Sequence, residues 1–167
     1  MADESLEQQF NALKLTLKAV LKPWGYTKQG QRFRRLIGGN AALIEVQRSS
    51  WNDGAAIRLT INVCVISSQL AGSDIDIKKA GGERAQLRER IGFFLPDPHD
   101  KWWELNGTIG DAKVADEIVS LIIKKVLPFL NNYTSDQGLA ELWKSGRSPG
   151  ITEVQRLRYL EQLRSAA

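Results

Sequence analysis

The stretch from Ile57 to Val65 constrains the fold more than any other part of the chain. Ile57, Leu59, Ile61, Val63 and Val65 alternate with Arg58, Thr60, Asn62 and Cys64. A period of two places the first set on one side of an extended strand and the second set on the other. One side is apolar and the other substantially polar. That asymmetry predicts an antiparallel sheet with helices on a single face, because a parallel sheet covered on both faces reads as a continuous apolar run.

The helices to cover that face are visible on either side of it. Leu6, Phe10, Leu13, Leu17, Val20 and Leu21 recur at steps of three and four, which predicts a helix from Ser5 to Leu21 ended by Pro23 and Gly25. Val114, Ile118, Leu121, Ile122, Val126 and Phe129 align in the same way, predicting a second long helix from Gly110 or Asp111 to Phe129 with Pro128 as its stop. Ser135 is placed to cap a short helix carrying Leu139, Leu142 and Trp143. Thr152 and Gln155 form a capping box ahead of a last helix.

Further strands are expected at Gln31 to Leu36 and Ala41 to Ser49, joined by Gly38-Gly39-Asn40, then at Leu87 to Leu95 and Trp102 to Thr108. Asp53-Gly54 reads as a tight turn into the central strand, and Pro96-Asp97-Pro98-His99-Asp100 as a turn that no strand can cross. Residues 67–82 read as an extended connection. The expected class is α+β: a mainly antiparallel sheet of four or five strands with helices packed on one face. Residues 1–145 form a single domain in this reading. GRSPG, from Gly146 to Gly150, is a hinge, so residues 146–167 are a hinge plus a C-terminal helical appendage.

Composition then limits the function classes. Hydrophobic residues make up 43% of the 167 and charged residues 25%, the balance of an ordinary globular protein that folds by itself. Cys64 is the single cysteine, so no internal disulfide forms and a reducing compartment is expected. MADESLEQQF lacks the basic start and apolar stretch of a secretory signal. The longest apolar stretch, Ile118 to Leu130, is broken by Ser120, Lys124 and Lys125 and is too short to span a bilayer core of about 30 Å. A cytoplasmic protein without a membrane partner is therefore expected. A net charge of +4 permits attraction to anions but does not form a nucleic-acid stripe.

Chemical motifs are sparse. Cys64 and His99 could pair as nucleophile and base, yet Cys64 lies mid-strand without a basic neighbour in sequence, so a buried thiol is the better reading. Asp97, His99 and Asp100 match no metal loop, and neither a metal nor a cofactor is expected. No phosphate loop or nucleophile elbow is present. What stands out is a set of arginines, tryptophans and amides on or near the strands: Arg34, Arg48, Trp51, Arg58, Asn62, Arg88, Arg90 and Trp102, with Gln47 and Trp103 beside them. These residue types dominate interface hot spots, since each gives large contact area with directed hydrogen bonds.

The segments KPWGYTKQGQRFRR, IEVQRSSW, IRLTINVCV and RERIGFFLPDPHDKWWEL, followed by LPFL, resemble the bacterial family called domain of unknown function 4304. The resemblance runs from about Leu6 to Trp143 and is sharpest at Arg90-Ile91-Gly92, Leu95-Pro96, Asp100, Trp102 and Trp103. It implies the fold and no catalytic residues. Two function classes are then expected from the residues. The favoured one is a non-enzymatic module that holds another protein on its polar sheet face around Trp51 and Arg90. The alternative is an enzyme or binder for a small anionic or nucleotide-like ligand. There Arg34, Arg58 and Arg90 form the clamp and Glu45, Glu89 or Glu104 serves as acid or base. Weak nucleic-acid binding ranks below both.

Overall fold

The computed structural model describes residues 4–50, 54–147 and 151–165. Strands β1 (Thr27–Gln29), β2 (Arg32–Ile37), β3 (Asn40–Arg48), β4 (Ile57–Ile66), β5 (Leu87–Arg90) and β6 (Trp103–Leu105) form one antiparallel sheet. The first five lie in sequence order, and β6 also pairs with β4. β5 runs beside Asn62 to Val65 and β6 beside Ile57 to Leu59, so the two short strands share one edge of β4 end to end. The expected α+β class and antiparallel sheet are therefore present, with one more short strand, β1, than the sequence pattern revealed.

Helix α1 (Glu4–Leu21) and the long helical run after β6 cover the apolar face. Leu6, Phe10, Leu13, Leu17 and Leu21 of α1 are buried in one core with Ile57, Leu59, Ile61, Val63 and Val65 of β4. The β2–β3 turn works because Gly38 and Gly39 both take left-handed backbone (φ +59° and +82°), which matches the twist of a two-residue hairpin.

Four sequence expectations need correction. The run Leu87 to Leu95 is not one strand: β5 ends at Arg90 and Ile91–Phe94 turns into a 3-10 helix. Gly92 is the cause. A Cβ there would collide with the His99 carbonyl and lie 2.8 Å from the Lys101 nitrogen, so the chain folds back on itself at the one residue that fits. The Trp102 to Thr108 strand is likewise shorter and begins at Trp103.

Nor does Pro128 end the second helix. Helix α3 (Gly110–Leu121) passes into a π-helical turn at Ile122–Val126 and on into α4 (Leu127–Tyr133). The Leu127 N–H reaches back to the Ile122 carbonyl, which displaces the ladder just before Pro128. The missing N–H of the proline therefore falls at a site where the ladder is already broken, and the helix continues.

The fourth correction concerns the polar face of the sheet. Thr60, Asn62, Cys64 and Ile66 of β4 are all buried. Residues 67–86 lie over this half of the sheet, starting with the one-turn helix α2 (Ser68–Ala71), and bring Ala71, Ile77, Ala80 and Ala85 onto Ala41, Leu43, Cys64 and Ile66. Among the described residues, the helices longer than one turn pack on the opposite face only.

Helix α5 (Asp136–Lys144) begins where Ser135 accepts a hydrogen bond from the Gly138 N–H at 3.0 Å, the expected cap. Thr152 and Gln155 cap α6 (Glu153–Ser165) reciprocally, each N–H to the other side chain at 3.2 Å. Helix α6 lies against α5: Tyr159 meets Trp143 at 5.3 Å between rings, Leu163 is buried, and Arg156 donates to the Trp143 carbonyl at 2.6 Å.

Candidate functional site

The residues singled out from the sequence separate into three places. Arg58, Arg90 and Trp102 come together on the exposed part of the sheet. Arg58 lies opposite Glu104 on β6, and Asn62 lies between Glu45 on β3 and Arg90 on β5. Partners across a sheet point to the same face, so strand register alone brings these side chains alongside one another.

Trp102 completes the cluster from outside the ladder. Alternation along residues 102–105 sends Trp103 into the core and leaves the Trp102 indole half-buried on the opposite side. The Arg90 guanidinium lies 4.9 Å and that of Arg58 5.8 Å from the Trp102 rings, within cation–π range. Asp100 accepts from Arg90 Nη1 at 3.0 Å and from Trp102 Nε1 at 3.1 Å, which fixes the angle of both groups. Arg58 and Glu104 form a looser ion pair at 3.6 Å. The loop is tied down from beneath by the buried Thr60 hydroxyl, which donates to the Lys101 carbonyl at 2.7 Å.

A shallow polar concavity of about 480 Å³ adjoins this cluster. Arg32, Glu45, Gln47, Asn62 and Arg88 border it. Its polar groups largely hold one another: Arg32 Nε meets Glu45 at 2.6 Å, Asn62 donates to Gln47 at 2.9 Å, and the Gly82 N–H donates to Glu45 at 3.1 Å. Arg48 lines the concavity too, but its guanidinium binds both carboxylate oxygens of Glu7 on α1, at 2.6 and 3.0 Å. Arg88 is exposed at the rim.

Arg34 is placed quite differently from the expectation of an anion clamp. Its side chain is buried, and it donates to the backbone carbonyls of Ile77 at 2.6 Å and Ala80 at 2.7 Å. It is a strut that fastens the 67–86 segment to the sheet. Trp51 lies outside the described residues.

Cys64 and His99 do not form a nucleophile and base. Cys64 is fully buried under Gly82, with its thiol donating weakly to Glu45 at 3.9 Å, whereas His99 is exposed in the proline loop. Burial and the neighbouring carboxylate push the Cys64 thiol well above its ordinary range, the opposite of what a nucleophile requires. Among the described residues no cluster of histidine, cysteine and carboxylates is arranged to hold a metal ion, and no helix is long and apolar enough to cross a membrane.

Sequence reasoning missed one feature outright. A groove of about 680 Å³ runs between the Phe94–Lys101 loop and the face of α3 and its π turn. Phe94, Leu95, Trp103 and Leu121 line it, and Lys113, Lys124 and Lys125 stand along it. The spacing of Lys124 and Lys125 resembles a solvent face in the sequence, and nothing local signals that a loop far along the chain would form the opposite wall.

No curated protein and no solved structure matches the chain. One family model does, over residues 17–132, a shorter span at both ends than the resemblance drawn from the motifs. That span takes in all six strands, α1 from Leu17, the Gly92 fold-back and most of the long helix. With the match covering well over half of the chain, this protein belongs to the family described as domain of unknown function 4304.

Proposed function

We propose that this chain is a binding module that holds another protein through the exposed sheet face centred on Trp102. The observation that carries this reading is the half-buried Trp102 indole set between two guanidinium groups, with Asp100 bonded to both the ring N–H and Arg90. Such an assembly is ordered before any partner arrives, so little side-chain entropy is lost on contact. Tryptophan and arginine in that state are the groups from which interface hot spots are made.

Charge supports a protein partner over a free anion or a nucleic acid. Asp100 and Glu104 lie within the same cluster as Arg90 and Arg58 and offset their charge. A phosphate approaching Trp102 meets carboxylates as well as cations. A protein surface, with carboxylates, amides and apolar groups at fixed spacing, complements such a mixed patch.

The test is affinity isolation from the native host with wild type, Trp102→Ala and an Arg58→Ala, Arg90→Ala double variant. Proteins retained only by wild type are then purified and titrated against all three. A hot-spot role predicts at least a tenfold loss of affinity for Trp102→Ala, with the variants folded by circular dichroism. Identical retention by the three proteins would overturn the reading.

A further inference from the structure

We infer that the groove between the Phe94–Lys101 loop and the α3–π helix is a binding site for a free medium-chain fatty acid. This site is separate from the Trp102 face and independent of its proposed role: Trp102 and Trp103 point to opposite sides of the same segment, and only Trp103 lines the groove. The volume of about 680 Å³ is in the range of sites for small molecules.

The lining selects the class of ligand. Phe94, Leu95, Pro96, Trp103 and Leu121 give it an apolar floor, and Phe94 is held in place by edge-on contacts with Phe93 and Phe129. Ser120 is the only hydroxyl or carboxamide side chain among the lining residues. An alkyl chain laid on that apolar floor needs no hydrogen-bond partners, whereas peptide amides pressed against it would have to reach the charged rim for theirs.

The rim selects the head group. Lys101, Lys113, Lys124 and Lys125 line the groove against two carboxylates, Asp116 and Glu117. Glu117 already accepts the Trp103 indole N–H at 3.0 Å. The surplus is cationic, and the π turn places two consecutive exposed lysines along the same wall. An apolar tail with one carboxylate complements both parts.

Calorimetric titration of the full chain with octanoate, decanoate and dodecanoate tests the inference, with the Trp103 indole N–H resonance as a local reporter. Affinity should rise about fourfold for each added methylene until the groove is filled. Decanol and decyltrimethylammonium should bind at least fivefold more weakly than decanoate. Ser120→Trp, which fills the groove, should abolish binding. A Lys113→Gln, Lys124→Gln, Lys125→Gln variant should weaken decanoate about tenfold and leave decanol unchanged. Lack of chain-length dependence, equal affinity for acid and alcohol, or binding that survives both variants overturns the proposal. So does an acidic amphipathic helical peptide that shifts the Trp103 resonance where decanoate does not, since the groove would then be a protein-docking surface. Trp102→Ala should leave decanoate binding intact, which separates failure here from failure of the Trp102 site.

Discussion

The two faces of the sheet are covered by different physics. On the helix side, aliphatic side chains of α1 and α3 meet those of β4, and cohesion comes from removing hydrocarbon from water. On the other side the cover is a segment with little regular structure and a small apolar cluster of Ala41, Leu43, Cys64 and Ile66. Hydrogen bonds from Arg34 to two backbone carbonyls and from Gly82 to Glu45 fasten it. The first face tolerates imprecision because hydrophobic burial has no direction. The second depends on a few directed contacts, each of which can be removed by one substitution.

The adjacent tryptophans give the largest expected contrast. Trp103 is buried among helix and sheet, so Trp103→Ala should cost about 3 to 5 kcal/mol in denaturant unfolding. Trp102→Ala on the other face should cost about 1 kcal/mol or less, since it forfeits exposed cation–π contacts. Equal losses would show that the two faces contribute alike.

Arg34→Ala should follow, at about 3 kcal/mol, because it leaves the Ile77 and Ala80 carbonyls without their charged donor. Amide exchange should accelerate across residues 67–86 and β2 while α1 stays protected. Uniform acceleration would mean that the loop-covered face is no separate unit.

Helix α6 provides a third comparison, with the main helix face as reference. A chain ending at Ser145 should still unfold cooperatively, with a loss of about 2 kcal/mol from uncovering Trp143 and deleting the Leu163 contact. A molten product would place α6 within the core rather than upon it.

Alkaline pH should act on the loop-covered face first. Cys64 is raised in the folded protein by burial and then by Glu45, so the native state keeps a proton that the unfolded chain releases. Stability is therefore full below the unfolded thiol value of about 8.5 and falls above it, by about 1.4 kcal/mol per pH unit. Tyr26, raised by burial against the opposing charge of Arg35, adds a second decline above about 10. Cys64→Ala should flatten the curve between these limits. An unchanged slope would show that the thiol reaches solvent.

The smallest effect is expected at the edge of the helix face. Glu7 is lowered chiefly by its hydrogen bonds from Arg48. Its contribution is present above the ordinary carboxylate value of about 4.3 and is lost as pH falls through the depressed one. Arg48→Ala should remove this acid dependence with little change at neutral pH, because Glu7 is open to solvent. A large loss at neutral pH would mean that Arg48 stabilises through its packing on Phe10.

What could be read in advance follows from how local each signal is. The alternation of β4, the stripe of α1, the Ser135 cap and the Thr152–Gln155 box involve residues a few positions apart, so the pattern is complete within the sequence. Arg58, Arg90 and Trp102 stand out in the sequence by residue type, but their convergence depends on β5 and β6 sharing one edge of β4. Arg34 has the same sequence character as Arg58, and only the position of a segment more than forty residues later makes it a buried strut.

The amino-acid sequence by itself determined the α+β class, the antiparallel sheet, the helix-covered face and membership of the family, because periodicity and motif spacing survive without knowledge of neighbours. The tertiary structure alone decided that Gly92 turns β5 into a fold-back, that Pro128 lies within a helix, and that Trp103 rather than Trp102 enters the core. It also decided that a lysine-lined apolar groove exists at all. Each of these depends on which distant backbone or side chain arrives at a given place, and such encounters are set by packing of the whole chain rather than by any local run of residues.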